Sequence, residues 1–155
     1  MCVASANMRE THDRVPTCSP ARAAGHKATH PAHIDGNTTL SGAERVLLQH
    51  CSLVVSTLGR RGARAAARDG RTAQVPACCV PVVDTVGAGD YFCGAFLAAH
   101  VHGASLAKAV GAGCAAGAQI VQCAGAHLTE AAWQGLRAKF ADILAGESPA
   151  QSPQR

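Results

Sequence analysis

A glycine turn between two apolar segments is the feature that most limits how this chain folds. In "VVDTVGAGDYFCGAF", residues 82–96, the acids Asp84 and Asp90 flank Gly87-Ala88-Gly89. Glycine permits a tight turn with positive φ and leaves the backbone open to another molecule. We expect a helix to begin here, with its free N–H groups and positive dipole end facing whatever lies over the turn. Such an arrangement suits a phosphate group.

Short apolar runs precede the turn and helical patterns follow it. "CSLVVSTLG" at 51–59 predicts a buried strand, Asp69-Gly70 predicts a hairpin turn, and "CCVPVVD" at 78–84 predicts a further strand. Three helices are expected to begin near Asp90, Ser105 and Thr129. Strands alternating with helices indicate an α/β fold, and the glycine turn would then lie beyond the carboxyl end of a strand, where open α/β sheets bind ligands.

The carboxylate of Asp90 needs a chemical reason of its own. The sequence has no G-x-x-x-x-G-K-[ST] motif, so phosphate charge would be neutralised by backbone N–H groups, the helix dipole and Mg²⁺. A carboxylate repels a phosphate, so phosphate binding alone does not account for it. Orienting and deprotonating an acceptor hydroxyl does, which makes Asp90 a candidate base of a kinase. A purely structural turn is the alternative at this point.

Two segments resemble a known family. "DTVGAGDYF" at 84–92 resembles the C-terminal signature of the PfkB (ribokinase-like) family of carbohydrate and nucleoside kinases. Thr57-Leu58-Gly59, followed by Gly62-Ala63, is similar to the strand and turn that border the nucleotide phosphates in that family. The resemblance covers residues 41 to 145 and implies the C-terminal part of a ribokinase-like three-layer α/β/α fold with an incomplete sheet.

The resemblance implies an ATP-dependent phosphotransferase that moves the γ-phosphate of ATP to a sugar hydroxyl, with Mg²⁺ as cofactor. Asp90 would be the catalytic base. The implied anion hole comprises Gly87, Ala88 and Gly89. The implied ATP contacts are Thr57, Gly59, Gly62, Cys114 and Gly125. Asp84, with the backbone of Val86, is similar to a position that holds a monovalent cation such as K⁺ in some members; a carboxylate that only caps the turn is the alternative.

Three departures from the family pattern leave alternatives open. Members are longer, and their N-terminal half supplies the substrate pocket. Their N-x-x-E motif, which helps arrange Mg²⁺ and phosphate, is not recognised upstream of Thr57, where Asn37 is followed by Thr-Thr-Leu. Tyr91 stands where the family usually has Ala, Ser or Thr, so its ring either crowds the site or packs sideways. The alternatives are therefore a truncated, non-catalytic nucleotide-binding remnant and a fragment of a nucleoside (adenosine-type) kinase.

Composition bears on location and partners. The eight cysteines form no C-x-x-C pair, which favours reduced thiols inside a cell. No apolar run approaches the roughly 18 residues of a membrane span, so no membrane partner is expected. A cytoplasmic protein is expected; the alternative is an organelle reached through an N-terminal transit segment.

Much of the +4 net charge comes from Arg60, Arg61, Arg64, Arg68 and Arg71. Without interleaved aromatics, these arginines favour a solvated hairpin face over a nucleic-acid patch; a nucleic-acid-binding module is the alternative.

The chain divides into three parts by its composition and its hydrophobic pattern. Residues 1–40, rich in Ser, Thr, Pro, His and Arg, are predicted to be disordered or an unrelated extension. Residues 41–145 form the predicted nucleotide-binding region, and 146–155 a disordered tail. An incomplete sheet would leave a strand edge unpaired, which predicts self-association through that edge, in addition to binding of a sugar or nucleoside substrate.

Overall fold

The structure is a computed structural model that describes residues 2–5 and 42–145. Most of the predicted extension and the predicted tail therefore lie outside the described residues. The strands are β1 Cys2–Ser5, β2 Leu53–Thr57, β3 Ala63–Ala67 and β4 Thr72–Val75. The helices are α1 Gly42–His50, α2 Ala88–Val101, α3 Leu106–Ile120 and α4 Glu130–Ala145. A short 3-10 turn, Gly59–Arg61, joins β2 to β3.

The four strands form one sheet in the order β1-β2-β3-β4. β1 is parallel to β2, and β2, β3 and β4 are antiparallel neighbours. The predicted hairpin is present, with Gly70 at φ 93°. β1 lies in the segment for which we expect no regular structure, so this strand is an addition to the predicted fold. β1 and β4 lie at the two edges of the sheet, and self-association through an edge stays a prediction.

The expected strand over residues 78–84 does not form, and that prediction is wrong. The chain from 76 to 85 has no helix or strand. Pro81, in the middle of this segment, removes one of the N–H groups that a ladder would need. The N–H groups of Val83 and Asp84 instead donate to the carbonyl of Val121, at 2.7 and 3.2 Å. The segment is thus held by the end of α3.

The sheet separates two helical layers, which confirms the α/β class. Because side chains alternate along a strand, Leu53 and Val55 of β2 pack with α2 and α3, while Val54 packs with α1. The larger cluster is centred on Phe96, which is fully buried, and otherwise uses mostly Ala and Val. Small side chains let α3 approach both β4 and α2 closely. The described part of the chain has no helix that combines the length and the apolar character needed to cross a bilayer.

The arginine-rich hairpin is predicted to be a solvated face, but the structure has only part of it exposed to solvent. Arg64 is only 6% exposed and lies under α1, with its Nη1 3.6 Å from Glu44 Oε2. Ser56 Oγ donates to the other oxygen of the same carboxylate at 3.3 Å. Arg68 Nε donates to the carbonyl of Leu48 at 2.8 Å and so caps the end of α1. Two of the five arginines therefore hold α1 to the sheet.

The cysteines also differ in part from the expectation of reduced thiols. Cys79 is disulfide-bonded. The free thiols among the described residues are Cys51, Cys78, Cys93, Cys114 and Cys123. Reduced thiols are therefore the rule in this region, with one exception.

The direction of the helices decides which segments meet. His100, near the end of α2, lines a cavity of about 440 Å³ together with Ser52 and Leu53 at the start of β2. α2 therefore begins at the opposite side of the sheet, the side at which the carboxyl end of β2 lies. Gly117 in the second half of α3 lies against the carbonyl of Ala88, so α3 ends at this same edge. We call it the glycine edge; it comprises residues 57–62, 76–90 and 121–126.

Candidate active site

Gly87 produces the turn that starts α2. It is the N-cap residue with φ 80° and ψ −7°, in the left-handed region that glycine favours. A Cβ on Gly87 would lie 3.0 Å from Cβ of Ala126, so the residue also allows the two segments to approach closely. Gly89 does not have positive φ. Its contribution is space, because a Cβ there would meet nothing within 4 Å.

The first turn of α2 presents backbone N–H groups at the glycine edge. The first intrahelical bond runs from the N–H of Tyr91 to the carbonyl of Gly87, at 3.0 Å. The N–H groups of Gly89 and Asp90 precede this bond and are the free donors of a helix start. The N–H of Ala88 donates to the carbonyl of Thr85 at 3.2 Å. Of the predicted anion hole, Gly89 is therefore the member best placed to donate to an anion.

Asp90 lies in this first turn and is exposed. Asp90 also stands at the end of a groove of about 640 Å³ between α2 and α4, with Tyr91, Trp133 and Phe140 among the lining residues. The carboxylate is thus free to reach a hydroxyl brought to the turn from solvent.

Asp84 links two segments of the glycine edge. Its Oδ1 accepts from the N–H of Val86 at 3.0 Å, and its Oδ2 accepts from the N–H of Gly125 at 2.9 Å. These backbone hydrogen bonds, that from Val86 first, lower the pKa of the Asp84 carboxyl. The capping role is thus present. Each oxygen keeps a second lone pair, so a cation ligand at Asp84 is compatible with these bonds.

Tyr91 packs sideways. Its hydroxyl lies 3.4 Å from the carbonyl oxygen of Ala126, and its ring centroid lies 5.9 Å from that of Trp133 in α4. The ring therefore fills the space between the 121–126 segment and α4. Its bulk stabilises the surroundings of the turn.

The residues predicted to contact ATP fall into two groups. Thr57 ends β2, and Gly59 follows with φ 57°. Gly62, with φ 95°, packs on the backbone of residues 75–77, and Cys114 Sγ lies 3.9 Å from the carbonyl oxygen of Val75. Burial raises the pKa of the Cys114 thiol to about 12, so this thiol stays neutral at physiological pH.

The second group is Gly125, which lies elsewhere on the glycine edge. It has φ 71°, belongs to the loop after α3 and donates its N–H to the Asp84 carboxylate. The structure thus brings Gly62 and Cys114 together at the end of β4, and Gly125 beside the turn before α2. An elongated ligand would be needed to contact both groups.

Residues 2–5 and 42–145 contain no group of three or more His, Cys, Asp or Glu side chains that could hold a metal ion. Mg²⁺ in phosphate-transferring sites takes one or two carboxylates together with phosphate oxygens and water. Asp90 is an exposed carboxylate beside the open space over Gly89. These residues fit a magnesium ion that arrives bound to a nucleotide.

One sequence signal was overlooked. Asn7-Met8-Arg9-Glu10 has the N-x-x-E spacing, so the statement that nothing upstream of Thr57 matches is wrong. The four residues lie outside the described ones. β1 ends at Ser5 and is parallel to β2, so the chain leaves β1 at the glycine edge. The run "CVAS", which ends two positions before Asn7, is the signal that could have revealed the motif.

Comparisons with known proteins agree with this arrangement. The sequence model described as pfkB family carbohydrate kinase matches residues 8–132. The match begins upstream of residue 41, where we place the start of the resemblance, and the domain boundaries stay predictions. A 1-phosphofructokinase of Haloferax volcanii is 34% identical over 113 residues, which are 73% of this chain and 37% of that protein.

Solved structures give the same result. A nucleoside kinase of Burkholderia thailandensis in complex with ADP-inosine is 28% identical with a TM-score of 0.57, over 72% of this chain and 36% of that one. Ribokinase from Thermotoga maritima is 31% identical with a TM-score of 0.51, over 67% and 33% of the two chains. Adenosine kinase from Sinorhizobium meliloti is 26% identical with a TM-score of 0.55, over 60% and 28%. The chain thus spans about a third of the length of these relatives.

Proposed function

Because the chain belongs to the pfkB family of carbohydrate kinases, we propose that it transfers the γ-phosphate of ATP to a hydroxyl group of a sugar. One observation carries the proposal. Asp90 is exposed in the first turn of a helix that begins at the positive-φ residue Gly87. At the same edge of the sheet, Thr57 ends β2 and Gly59 begins the 3-10 turn that follows it.

The backbone would stabilise the transferring phosphoryl group. The N–H groups at the start of α2, chiefly that of Gly89, would donate to its oxygens, and the helix dipole would favour the added negative charge. The open space over Gly89 is what allows a phosphate to come this close. Because these donors are fixed by the fold, they need no reorganisation during the reaction.

Asp90 would act as the base. As the acceptor oxygen attacks the γ-phosphorus, the Asp90 carboxylate takes the hydroxyl proton, and the bond from γ-phosphorus to the bridging oxygen breaks to release ADP. When bound, Mg²⁺ would neutralise charge on the phosphates. Asn7 and Glu10 are our candidates for arranging that ion, on the strength of their N-x-x-E spacing.

The Asp84 site has a proposed role of its own. We propose that the Asp84 carboxylate and the backbone of Val86 hold a monovalent cation such as K⁺. The support is a carboxylate with spare lone pairs whose pKa lies below its usual value, so that it stays charged. Turnover that is unchanged when K⁺ is replaced by a large organic cation would rule this role out.

Two further candidates compete with a sugar kinase. A nucleoside as acceptor is favoured by the likeness to nucleoside and adenosine kinases. ATP binding without transfer is the other candidate, because the relatives' reactions belong to proteins about three times the length that this chain spans. The same assay separates all three.

The test measures ADP release by the full chain with Mg·ATP and each of four acceptors: ribose, fructose 1-phosphate, adenosine and inosine. Asp90→Asn is expected to lower kcat by about a hundredfold to ten-thousandfold, the usual contribution of a positioned base, while the Kd for ATP changes little. Asp142→Asn, an exposed carboxylate on α4, is the matched control. Equal turnover by the Asp90 variant would refute the proposed base, and ATP binding without acceptor-dependent ADP release would leave the binding function alone.

A further inference from the structure

Two adjacent arginines occupy the turn at the end of β2. The 3-10 turn Gly59–Arg61 is closed by hydrogen bonds from the N–H of Leu58 to the carbonyl of Gly62, at 2.8 Å, and from the N–H of Gly62 to the carbonyl of Gly59, at 3.0 Å. Arg60 and Arg61 are both exposed on this turn. A rigid backbone thus presents two guanidinium groups at the glycine edge.

Neither side chain forms a hydrogen bond or an ion pair with the described residues. The other three arginines of the region do, since Arg64 pairs with Glu44, Arg71 pairs with Asp69, and Arg68 caps α1. No carboxylate of the described part of the chain lies within ion-pair distance of Arg60 or Arg61. Two like charges side by side repel each other, and a bound anion would relieve that repulsion.

The position of the turn indicates which anion. Gly62 follows Arg61 directly and packs on residues 75–77, next to Cys114. The first turn of α2 lies at the same edge and is the proposed place of the γ-phosphate. A nucleotide that extends from the Gly62 side to Gly89 would carry its inner phosphates past the turn.

We propose that Arg60 and Arg61 bind the α- and β-phosphates of the nucleotide. The inference rests on the proposed function and adds to it the side chains that hold the donor. The sequence lacks the lysine that follows the glycine loop in P-loop proteins. Guanidinium groups suit the task because each stays charged and donates two parallel hydrogen bonds to phosphate oxygens.

The experiment compares four ligands on the full chain: Mg·ATP, Mg·ADP, AMP and adenosine, each titrated by calorimetry. Arg60→Ala/Arg61→Ala is the test variant. Arg71→Ala/Lys139→Ala removes the same charge from exposed positions outside the glycine edge and is the control. The test variant is expected to weaken ATP and ADP binding by about tenfold to a hundredfold and adenosine binding by less than about twofold. Its affinity should also depend less steeply on salt.

The outcomes distinguish this inference from the proposed function. A wild-type chain that binds neither ATP nor ADP refutes both. A wild-type chain that binds ATP, with a test variant that equals the control, overturns the arginine assignment and leaves the proposed function standing. Unchanged ATP affinity with weaker use of a phosphorylated acceptor also overturns it, because the arginines would then serve the acceptor. Arg60→Lys/Arg61→Lys keeps both charges and is expected to bind ATP with intermediate affinity.

Discussion

The carboxylate of Asp84 accepts a hydrogen bond at 2.9 Å from the N–H of Gly125, a residue 41 positions later in the chain. Its other oxygen holds the N–H of Val86, one residue before the glycine turn. A single side chain therefore ties the loop after α3 to the start of α2. The position of the first turn of α2 depends on this link, and so does any chemistry performed there.

The Asp84 link predicts a stability difference that depends on pH. Its hydrogen bonds lower the pKa of the folded carboxyl below the usual value of 3.8, so the charged form stabilises the fold. That contribution is complete above about pH 5 and is lost as pH falls through the lowered pKa. We expect Asp84→Asn to melt at a lower temperature than wild type at pH 7, with the difference shrinking below about pH 4.

Thermal unfolding followed by circular dichroism from pH 3 to 7 checks this prediction. Asp142→Asn serves as the control for removal of a surface charge. Asp69 also has a lowered pKa, through its hydrogen bonds to Arg71, but it contributes equally to wild type and to both variants. A difference between Asp84→Asn and wild type that stays constant down to pH 3 would contradict the assignment.

Gly62 is expected to be far less tolerant of substitution than Gly70, although the two have similar φ angles of 95° and 93°. A Cβ on Gly62 would overlap the carbonyl oxygen of Val75 and lie 2.6 Å from the nitrogen of Ala77; one on Gly70 would meet nothing within 4 Å. Gly70→Ala should cost the strain of positive φ, about 1–2 kcal/mol. Gly62→Ala should cost at least about 1 kcal/mol more, measured by urea unfolding. Equal losses would show that the contact with residues 75–77 is wrong.

Two glycines of α3 are expected to respond in opposite directions. A Cβ on Gly113 would lie 2.7 Å from two ring atoms of Phe92, whereas one on Gly111 would meet nothing within 4 Å. Gly113→Ala should destabilise the chain by about 1–3 kcal/mol through overpacking. Gly111→Ala should stabilise it by about 0.5–1 kcal/mol, because alanine loses less backbone entropy in a helix. Urea midpoints that move in the same direction would refute the described packing of α2 on α3.

A nucleotide at the glycine edge is expected to protect one thiol. Cys78 is free and exposed, and it follows the residues that pack on Gly62 and Cys114. Mg·ATP should therefore slow alkylation of Cys78, while Cys93, on α2, serves as the internal reference. Peptide mass spectrometry after timed treatment with iodoacetamide measures both rates. Slowing of both thiols alike would indicate a general change in stability, and no slowing would place the nucleotide elsewhere.

Local patterns predicted much of this molecule. The glycine turn, the hairpin at Asp69-Gly70 and the three helices after the turn depend on neighbouring residues, and the structure has each of them. The family resemblance, carried by residues 84–92, is likewise confirmed. These features share a short range: a capping residue or a turn residue decides each one.

Three features that the sequence did not predict depend on contacts between residues distant in the chain. β1 is a strand because it pairs with β2, some 50 positions later in the chain, and four residues carry too weak a pattern to show this alone. The apolar run at 78–84 resembles a strand, yet the N–H groups of Val83 and Asp84 donate to the carbonyl of Val121 instead of to a neighbouring strand. Arg64 looks like a surface residue in sequence, and its burial depends on the partner Glu44 from α1. Each of these three errors comes from a partner distant in the chain.

The most direct test of the account is the affinity of Gly89→Ala for Mg·ATP. A Cβ at Gly89 would meet nothing within 4 Å, so the variant should fold as well as wild type and gain up to about 1 kcal/mol of helix stability. The same methyl group would occupy the space that the phosphate needs. We predict a stable variant whose ATP affinity, measured by calorimetry, falls by at least about tenfold. A stable variant that binds ATP as tightly as wild type would show that the glycine turn does not hold phosphate.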